Sequence, residues 1–345
     1  MDYIMSADRP GGPEVFRERK INLPEPDAGQ VLIKQYAIGL NFIDIYHRSG
    51  FYPWPHATDL VVGSEGSGKV VAVGEGVRDL KIGDNVAYTH PYNAYASSRI
   101  ISADKLVKLP KEIDPILAGA LMLKGLTAHY LLHDTYKVQK GDVVLVHAAA
   151  GGIGMLIGQW LKAKGAISIG TAGSTDKCDV ALLNGYDHVI NYKEQDVVHE
   201  ILNITGGEGV DVVYDSVGED TWQNSLKVLR NHGHFINFGQ SSGAITNFSL
   251  GDLAAGSYKA CRPVLFHYIT EPEQLRQRSN VLFEAIRSGI LNCEINNEYS
   301  LTNVAQAHLD LESRKTTGLT VLRPEGTTIM KQKSVKLQRY EREAL

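Results

Sequence analysis

Two stretches of this chain carry residue types at spacings that suit chemistry. One is Ala149-Ala150-Gly151-Gly152-Ile153-Gly154, an A-x-G-x-x-G run. Before it lies a Val-rich apolar segment, residues 142–149, of the kind that forms a parallel strand buried on both faces. After it comes a helical pattern in which Met155, Leu156, Ile157, Trp160 and Leu161 gather towards one side. Strand, glycine turn and helix begin a dinucleotide-binding βαβ unit. Glycine at Gly151 or Gly152 lets the main chain approach a pyrophosphate with no Cβ in the way, and Ile153 continues that backbone. Gly154 lets the helix pack close on the strand, and the free N–H groups of the helix start favour phosphate. Ala149 replaces the usual first glycine, and a plain tight turn is the alternative reading.

The other stretch runs from Asn41 through Phe42, Asp44, Tyr46 and His47 to Tyr52, with an unusual density of polar and aromatic groups. Such aromatics serve a ligand wall or core packing with a hydroxyl tied off to the backbone. For Asp44, ligand contact stands beside a buried hydrogen-bonding strut or a helix N-cap.

Between these functions sits the cofactor choice. An NAD-preferring fold puts Asp or Glu at the end of the second strand, about twenty residues beyond the glycine turn, to hold the ribose hydroxyls. Here the stretch is Thr171-Ala172-Gly173-Ser174-Thr175-Asp176-Lys177, with no carboxylate at the strand end itself. Ser174 can hydrogen-bond a 2′-phosphate and Lys177 can offset its charge, which predicts NADPH. Asp176 dissents, and a helix-surface lysine is the plainer reading of Lys177. Downstream, Asn237-Phe238-Gly239-Gln240-Ser241-Ser242-Gly243 ends a strand on the carboxyl edge, where ligands of open α/β folds bind; a strand-ending turn is its alternative. His47, His56 and His129 show no triad spacing among the 12 histidines, and Cys178 reads as a half-buried filler.

These residues need elements to hold them. Residues 1 to about 110 read as β-rich, in short alternating strands separated by turns, which suggests a compact barrel-like fold. Asp114 and Pro115 open a helix expected to stop near Gly125, with another starting at Leu126. From residue 142 to about 268, strands and helices alternate as in a doubly wound parallel sheet. A long helix over 275–288 and short β segments follow, ending at 319–322. The expected division is a β-rich domain over 1–124, completed by about 268–323, an α/β domain over 125–267, and a polar tail over 324–345.

With 345 residues, 43% hydrophobic and 21% charged, the composition is that of a soluble globular protein of two domains. A net charge of -4 argues against nucleic acid and anionic membranes as partners. Three scattered cysteines fit neither a disulfide framework nor a zinc knuckle. With no signal-like or membrane-spanning stretch, a reducing cytoplasm is the expected location.

The chain resembles the zinc-free, zeta-crystallin-like quinone oxidoreductases of the medium-chain dehydrogenase/reductase superfamily, from near the N-terminus to about Leu322. The resemblance rests on Asn41-x-x-Asp44-x-Tyr46, Gly63-x-Glu65-x-x-Gly68, Gly125-Leu126-Thr127-Ala128, the glycine turn, and Tyr214-Asp215-Ser216-Val217-Gly218. It implies a GroES-like substrate domain and a Rossmann cofactor domain with the cleft between them, and NADPH-dependent reduction of a quinone. Asn41 and Tyr46 are placed by it beside the nicotinamide, with Tyr52 lining the quinone pocket and Phe42, Asp44, Thr127 and Tyr130 near the ring. Ser216, Phe238, Gly239, Gln240 and Ser241, with the backbone of Leu265 and Phe266, complete the cofactor side. Lys177, Tyr192 and Arg314 hold the 2′-phosphate, and an edge strand near Leu265 pairs two copies into a dimer.

Zinc-dependent relatives have cysteine where this chain has Asn41, histidine at Ser64 and a second cysteine near Leu123, so no metal is expected. Without a Lewis acid the acceptor must already be electron-poor, a quinone or a conjugated carbonyl. A reductase of conjugated enones is the alternative within enzymes; a nucleotide-binding structural or RNA-associating protein, for which the basic tail leaves room, is the alternative outside them.

Overall fold

The computed structural model describes residues 1–55 and 57–324. His56 and residues 325–345 lie outside the described residues, and with them all but the first residue of the polar tail expected over 324–345.

Six strands form one sheet in the spatial order His188–Asn191, Ile167–Ala172, Val143–Val146, Val210–Asp215, Leu229–Asn237 and Lys259–Cys261. Every neighbouring pair is parallel. In chain order this is 3-2-1-4-5-6, the doubly wound arrangement, with the strand order reversing beside the first strand. Helices cover both faces, so strand residues such as Val144, Leu145, Val146, Ile169, Val212 and Val213 are fully buried, which is why these segments read as unbroken apolar runs. The first strand is shorter than its apolar run: it ends at Val146, and Ala148 has φ +56 as the chain bends into the glycine turn. Helix starts follow their caps. Ser174 accepts the Lys177 N–H, and Asp196 accepts those of Val198 and His199.

A second sheet has seven strands. Six lie in the order Ile295–Ser300, Leu319–Arg323, Gln30–Gly39, Glu65–Val73, Asn85–Thr89 and Leu106–Lys108, and Ser98–Ser102 also pairs with Gln30–Gly39. The returning strand matters most for the site. Val321 and Leu322 pair antiparallel with Gly39 and Ile38, while the Gly318 N–H donates to Ala150 O at 3.2 Å. One short segment is thus stitched to both the second sheet and the glycine turn.

The connecting helices depart from expectation. Pro115–Gly119 is capped by Asp114 as predicted, but the break falls at Ala120-Leu121, and helix Met122–Tyr130 runs through Gly125. A Cβ on Gly125 would lie 2.6 Å from the Leu282 side chain, so this glycine admits helix Pro272–Arg287 rather than ending its own. Two helices were not anticipated, Phe42–Ser49 and Val304–Glu312. Among the described residues, no helix is long and apolar enough to cross a membrane.

Candidate active site

A cavity of about 970 Å³ opens between the two sheets, at the carboxyl ends of the parallel strands. Its wall joins the glycine turn to the stretch from Asn41 to Tyr52. Asn41, Phe42, Tyr46, Tyr52, Thr127 and Tyr130 line it together with Gly151, Gly152, Ile153 and Gly173. Lys177, Tyr192 and Arg314 also line it, as do Ser216, Phe238, Gly239, Ser241, Leu265 and Phe266.

Three expected residues are not on the wall. Asp44 is fully buried behind it: one oxygen accepts the Asn41 N–H at 2.9 Å and the Tyr95 hydroxyl at 3.0 Å, the other the Ser64 hydroxyl at 3.1 Å. It closes the first turn of helix Phe42–Ser49, the strut that its alternative reading described. Burial, only partly offset by these hydrogen bonds, lifts its carboxyl to about 7. Behind it, Arg48 donates to His308 Nδ1 at 3.0 Å. Arginine only donates, so His308 carries its hydrogen on Nε2 and gives it to Tyr95, 2.9 Å away. Arg48 also grips Glu312 with two bonds of 3.0 and 2.7 Å, tying the tyrosine-bearing helix to helix Val304–Glu312. Ser174 spends its oxygen on the helix cap, and Gln240 stands behind the two tyrosines.

At the tyrosine end, Tyr46 Oη accepts the Gln240 backbone N–H at 2.9 Å, and the rings of Tyr46 and Tyr52 are 5.2 Å apart. Burial pushes the Tyr46 phenol up to about 12, keeping it neutral and hydrogen-bearing. Tyr130 stacks on Tyr268 with centroids 4.4 Å apart, and burial raises its phenol too. Beneath Asn41 lies Glu65, fully buried, which accepts from Asn41 Nδ2 at 2.8 Å, Leu123 N at 2.7 Å and Lys124 Nζ at 2.6 Å.

That arrangement tests the metal that zinc-dependent relatives hold here. Asn41 and Leu123 offer N–H donors, and Ser64 gives its hydroxyl hydrogen to Asp44 or Pro91 O. Both nearby carboxylates are already engaged, Glu65 by three N–H donors and Asp44 by Asn41, Ser64 and Tyr95, and the Lys124 ammonium already supplies a positive charge. This donor set does not fit zinc.

At the other end, a Cβ on Gly154 would sit 2.4 Å from Ala148 O, so glycine there is what lets helix Gly152–Lys164 pack on the strand end. Lys177 reaches Arg314 O at 2.6 Å, and Arg314 lies 3.5 Å from Tyr192 Oη. Burial first, then the charges of Arg314 and Lys193, lower the Lys177 ammonium from its ordinary value. Asp176 is exposed and does not line the cavity. Crowded cations beside the second strand's end fit an extra phosphate on a dinucleotide.

Of the histidines, His47 and His129 lie off the wall, each pressed down to about 4, chiefly by burial. Sequence reasoning passed over His147, Lys124 and Arg262, all on the wall. His147 stands one residue past the first strand and is held between Thr171 and Ser225, both at 3.0 Å. The signal for the other two was adjacency: Lys124 follows Leu123 and Arg262 precedes Pro263.

A doubly wound sheet with a phosphate-seeking glycine turn, facing a second β-rich sheet across a cleft, defines a two-part dinucleotide-binding class. Residues 27–142 match the family described as "Alcohol dehydrogenase GroES-like domain", and residues 152–277 that described as "Zinc-binding dehydrogenase". A Pseudomonas aeruginosa protein named quinone oxidoreductase is 45% identical over 91% of this chain and 97% of its own. A Burkholderia 2-haloacrylate reductase is 41% identical over 93% and 99%. The crystal structure of the Escherichia coli quinone oxidoreductase complexed with NADPH superposes with a TM-score of 0.90, at 43% identity over 93% of this chain and 100% of that one. The chain belongs to the quinone oxidoreductase family of the medium-chain dehydrogenase/reductase superfamily.

Proposed function

We propose that this protein is an NADPH-dependent quinone reductase that works without zinc. The observation that carries the reading is the shared wall: Asn41, Tyr46 and Tyr52 face the same cavity as the glycine turn and the cations Lys177 and Arg314. The Escherichia coli relative complexed with NADPH and the relatives named quinone oxidoreductases support it.

In this reading the backbone of Gly151, Gly152 and Ile153 holds the pyrophosphate. Lys177, Arg314 and Tyr192 hold the 2′-phosphate, with Gly173 giving the ribose room. Thr127, Tyr130, Leu265 and Phe266 flank the nicotinamide, and Ser216, Phe238, Gly239 and Ser241 close the side along the strand ends. Bound NADPH supplies the hydride. Asn41, Tyr46 and Tyr52 orient the acceptor, and the aromatic walls exclude water. The β-rich sheet, with its returning strand, forms the substrate domain, and the parallel sheet forms the cofactor domain. Two copies pair through the edge strand Lys259–Cys261, whose three residues are exposed. A cytoplasmic location fits the three free cysteines.

A conjugated enone is the second acceptor class, favoured by the 41% identical 2-haloacrylate reductase. The test is NADPH oxidation with 9,10-phenanthrenequinone and with 3-nonen-2-one, EDTA present throughout. Fast EDTA-resistant turnover of the quinone is expected. Turnover of the enone alone would transfer the assignment, and NADPH binding with neither acceptor reduced would end it.

A further inference from the structure

Of the cavity phenols, Tyr46 and Tyr52 differ in what their oxygens have left to give. Tyr52 Oη accepts from Arg262 Nη2 at 3.1 Å and from Gln240 Nε2 at 3.3 Å. A phenol oxygen takes about two hydrogen bonds, so this one is full as an acceptor, and guanidinium can act only as a donor. What remains is the hydroxyl hydrogen, which no acceptor takes among the described residues, on a side chain that lines the cavity. Tyr46 accepts a single bond, from the Gln240 backbone.

Arg262 is itself fixed. It follows the edge strand Lys259–Cys261, and its Nη1 donates to Asn237 O, at the end of the neighbouring strand, at 3.1 Å. No carboxylate pairs with it among the described residues, in contrast with Lys124, Arg48 and Arg278, each of which has an acidic partner. Arg262 is exposed, so solvent screens its charge and it acts on Tyr52 chiefly through its hydrogen bond to that phenol.

We propose that Arg262 is a positioning residue for Tyr52: it occupies the phenol oxygen, aims the hydroxyl hydrogen at a carbonyl oxygen of the acceptor, and offsets the charge left when that proton is given up. The inference rests on the quinone-reductase reading and names what the acceptor must present, a carbonyl oxygen rather than a hydroxyl. In the step, the acceptor takes the hydride with its electron pair, the O–H bond of Tyr52 breaks and an O–H bond forms on the acceptor oxygen. A water then returns the proton to Tyr52. The balance is quinone plus NADPH plus one proton to hydroquinone plus NADP+.

The test is a double-mutant cycle of Tyr52→Phe and Arg262→Gln, with Arg262→Lys beside it. It is read twice: as affinity of 9,10-phenanthrenequinone for the NADP+-saturated protein by fluorescence quenching, which needs no turnover, and as kcat with 1,4-benzoquinone. Tyr52→Phe should lower kcat ~100-fold, the scale of losing a positioned acid. Arg262→Gln should lower it ~10-fold alone and have no further effect in the Tyr52→Phe background, in quinone affinity as in rate. Arg262→Lys should recover part of the loss, and NADP+ affinity should not change. If Arg262→Gln costs the same factor in both backgrounds, the proposal falls while the reductase reading stands. A wild-type protein that binds NADP+ but neither binds nor reduces the quinone overturns both.

Discussion

At the glycine-turn end the cavity wall is built from Ala148, residues 150–154 and the strand ends, joined by Lys177, Tyr192 and Arg314. At the tyrosine end side chains dominate, and other residues hold them: buried Glu65 holds Asn41 and buried Asp44 its helix, half-buried Gln240 meets both Tyr46 and Tyr52, and exposed Arg262 meets Tyr52. The first end recognises phosphates common to every turnover, for which backbone N–H groups at a helix start suffice. The second must orient a flat, uncharged acceptor, which takes directional side chains fixed from behind. Changes at the two ends should therefore fail differently.

The largest expected effect is at the tyrosine end. Glu65→Ala strands the Lys124 ammonium, whose side chain is 7% exposed, without its counter-charge. Unfolding in urea should show a loss of about 3–5 kcal/mol. A loss under about 1 kcal/mol would mean that the pair does not organise that wall.

Next comes Gly154→Val at the other end. Its Cβ meets backbone oxygens of Ala148 and Ala149 at 2.4 and 2.7 Å, neither of which can swing aside. A loss of about 1–3 kcal/mol is expected, together with weaker NADP+ binding. Intact NADP+ affinity in a folded variant would detach that end from the glycine turn.

The smallest effect is one of pH. With its carboxyl lifted to about 7, Asp44 keeps a proton in the folded protein that the unfolded chain releases above its ordinary 3.8, so its contribution to stability falls as pH rises through that window. His47 and His129, pressed to about 4, act oppositely: the unfolded chain takes protons that the folded one refuses, so stability rises from pH 4 to 6.5. Asp44→Asn removes only the first contribution, and Tm should then climb more steeply between pH 4.5 and 6.5 than in the wild type. Parallel curves would show Asp44 ionised across that range.

The same contrast explains what could be read in advance. The glycine-turn end is local in sequence: strand, turn, helix and second-strand end lie within about forty residues, and periodicity and glycine spacing reveal them. The tyrosine end is assembled from afar. Residue types marked Asn41, Tyr46 and Tyr52, but nothing local tells that Asp44 faces Tyr95 or that Arg262 reaches Tyr52. Gly125 misled because a glycine that admits a neighbouring helix looks, in one dimension, like one that ends its own. Helix Phe42–Ser49 was hidden by its aromatic, β-branched composition, and is set instead by the Asn41–Asp44 cap and by Gly50 at φ +78.

The measurement that tests the account most directly is steady-state oxidation of NADPH by 1,4-benzoquinone, in EDTA, for the wild type, Lys177→Ala and Tyr52→Phe side by side. Brisk wild-type turnover is expected, with a KM for NADPH raised ~10-fold and kcat unchanged in Lys177→Ala, and a reduced kcat with that KM unchanged in Tyr52→Phe. A wild type that binds NADPH yet leaves the quinone untouched, or two substitutions that move the same constant, would contradict it.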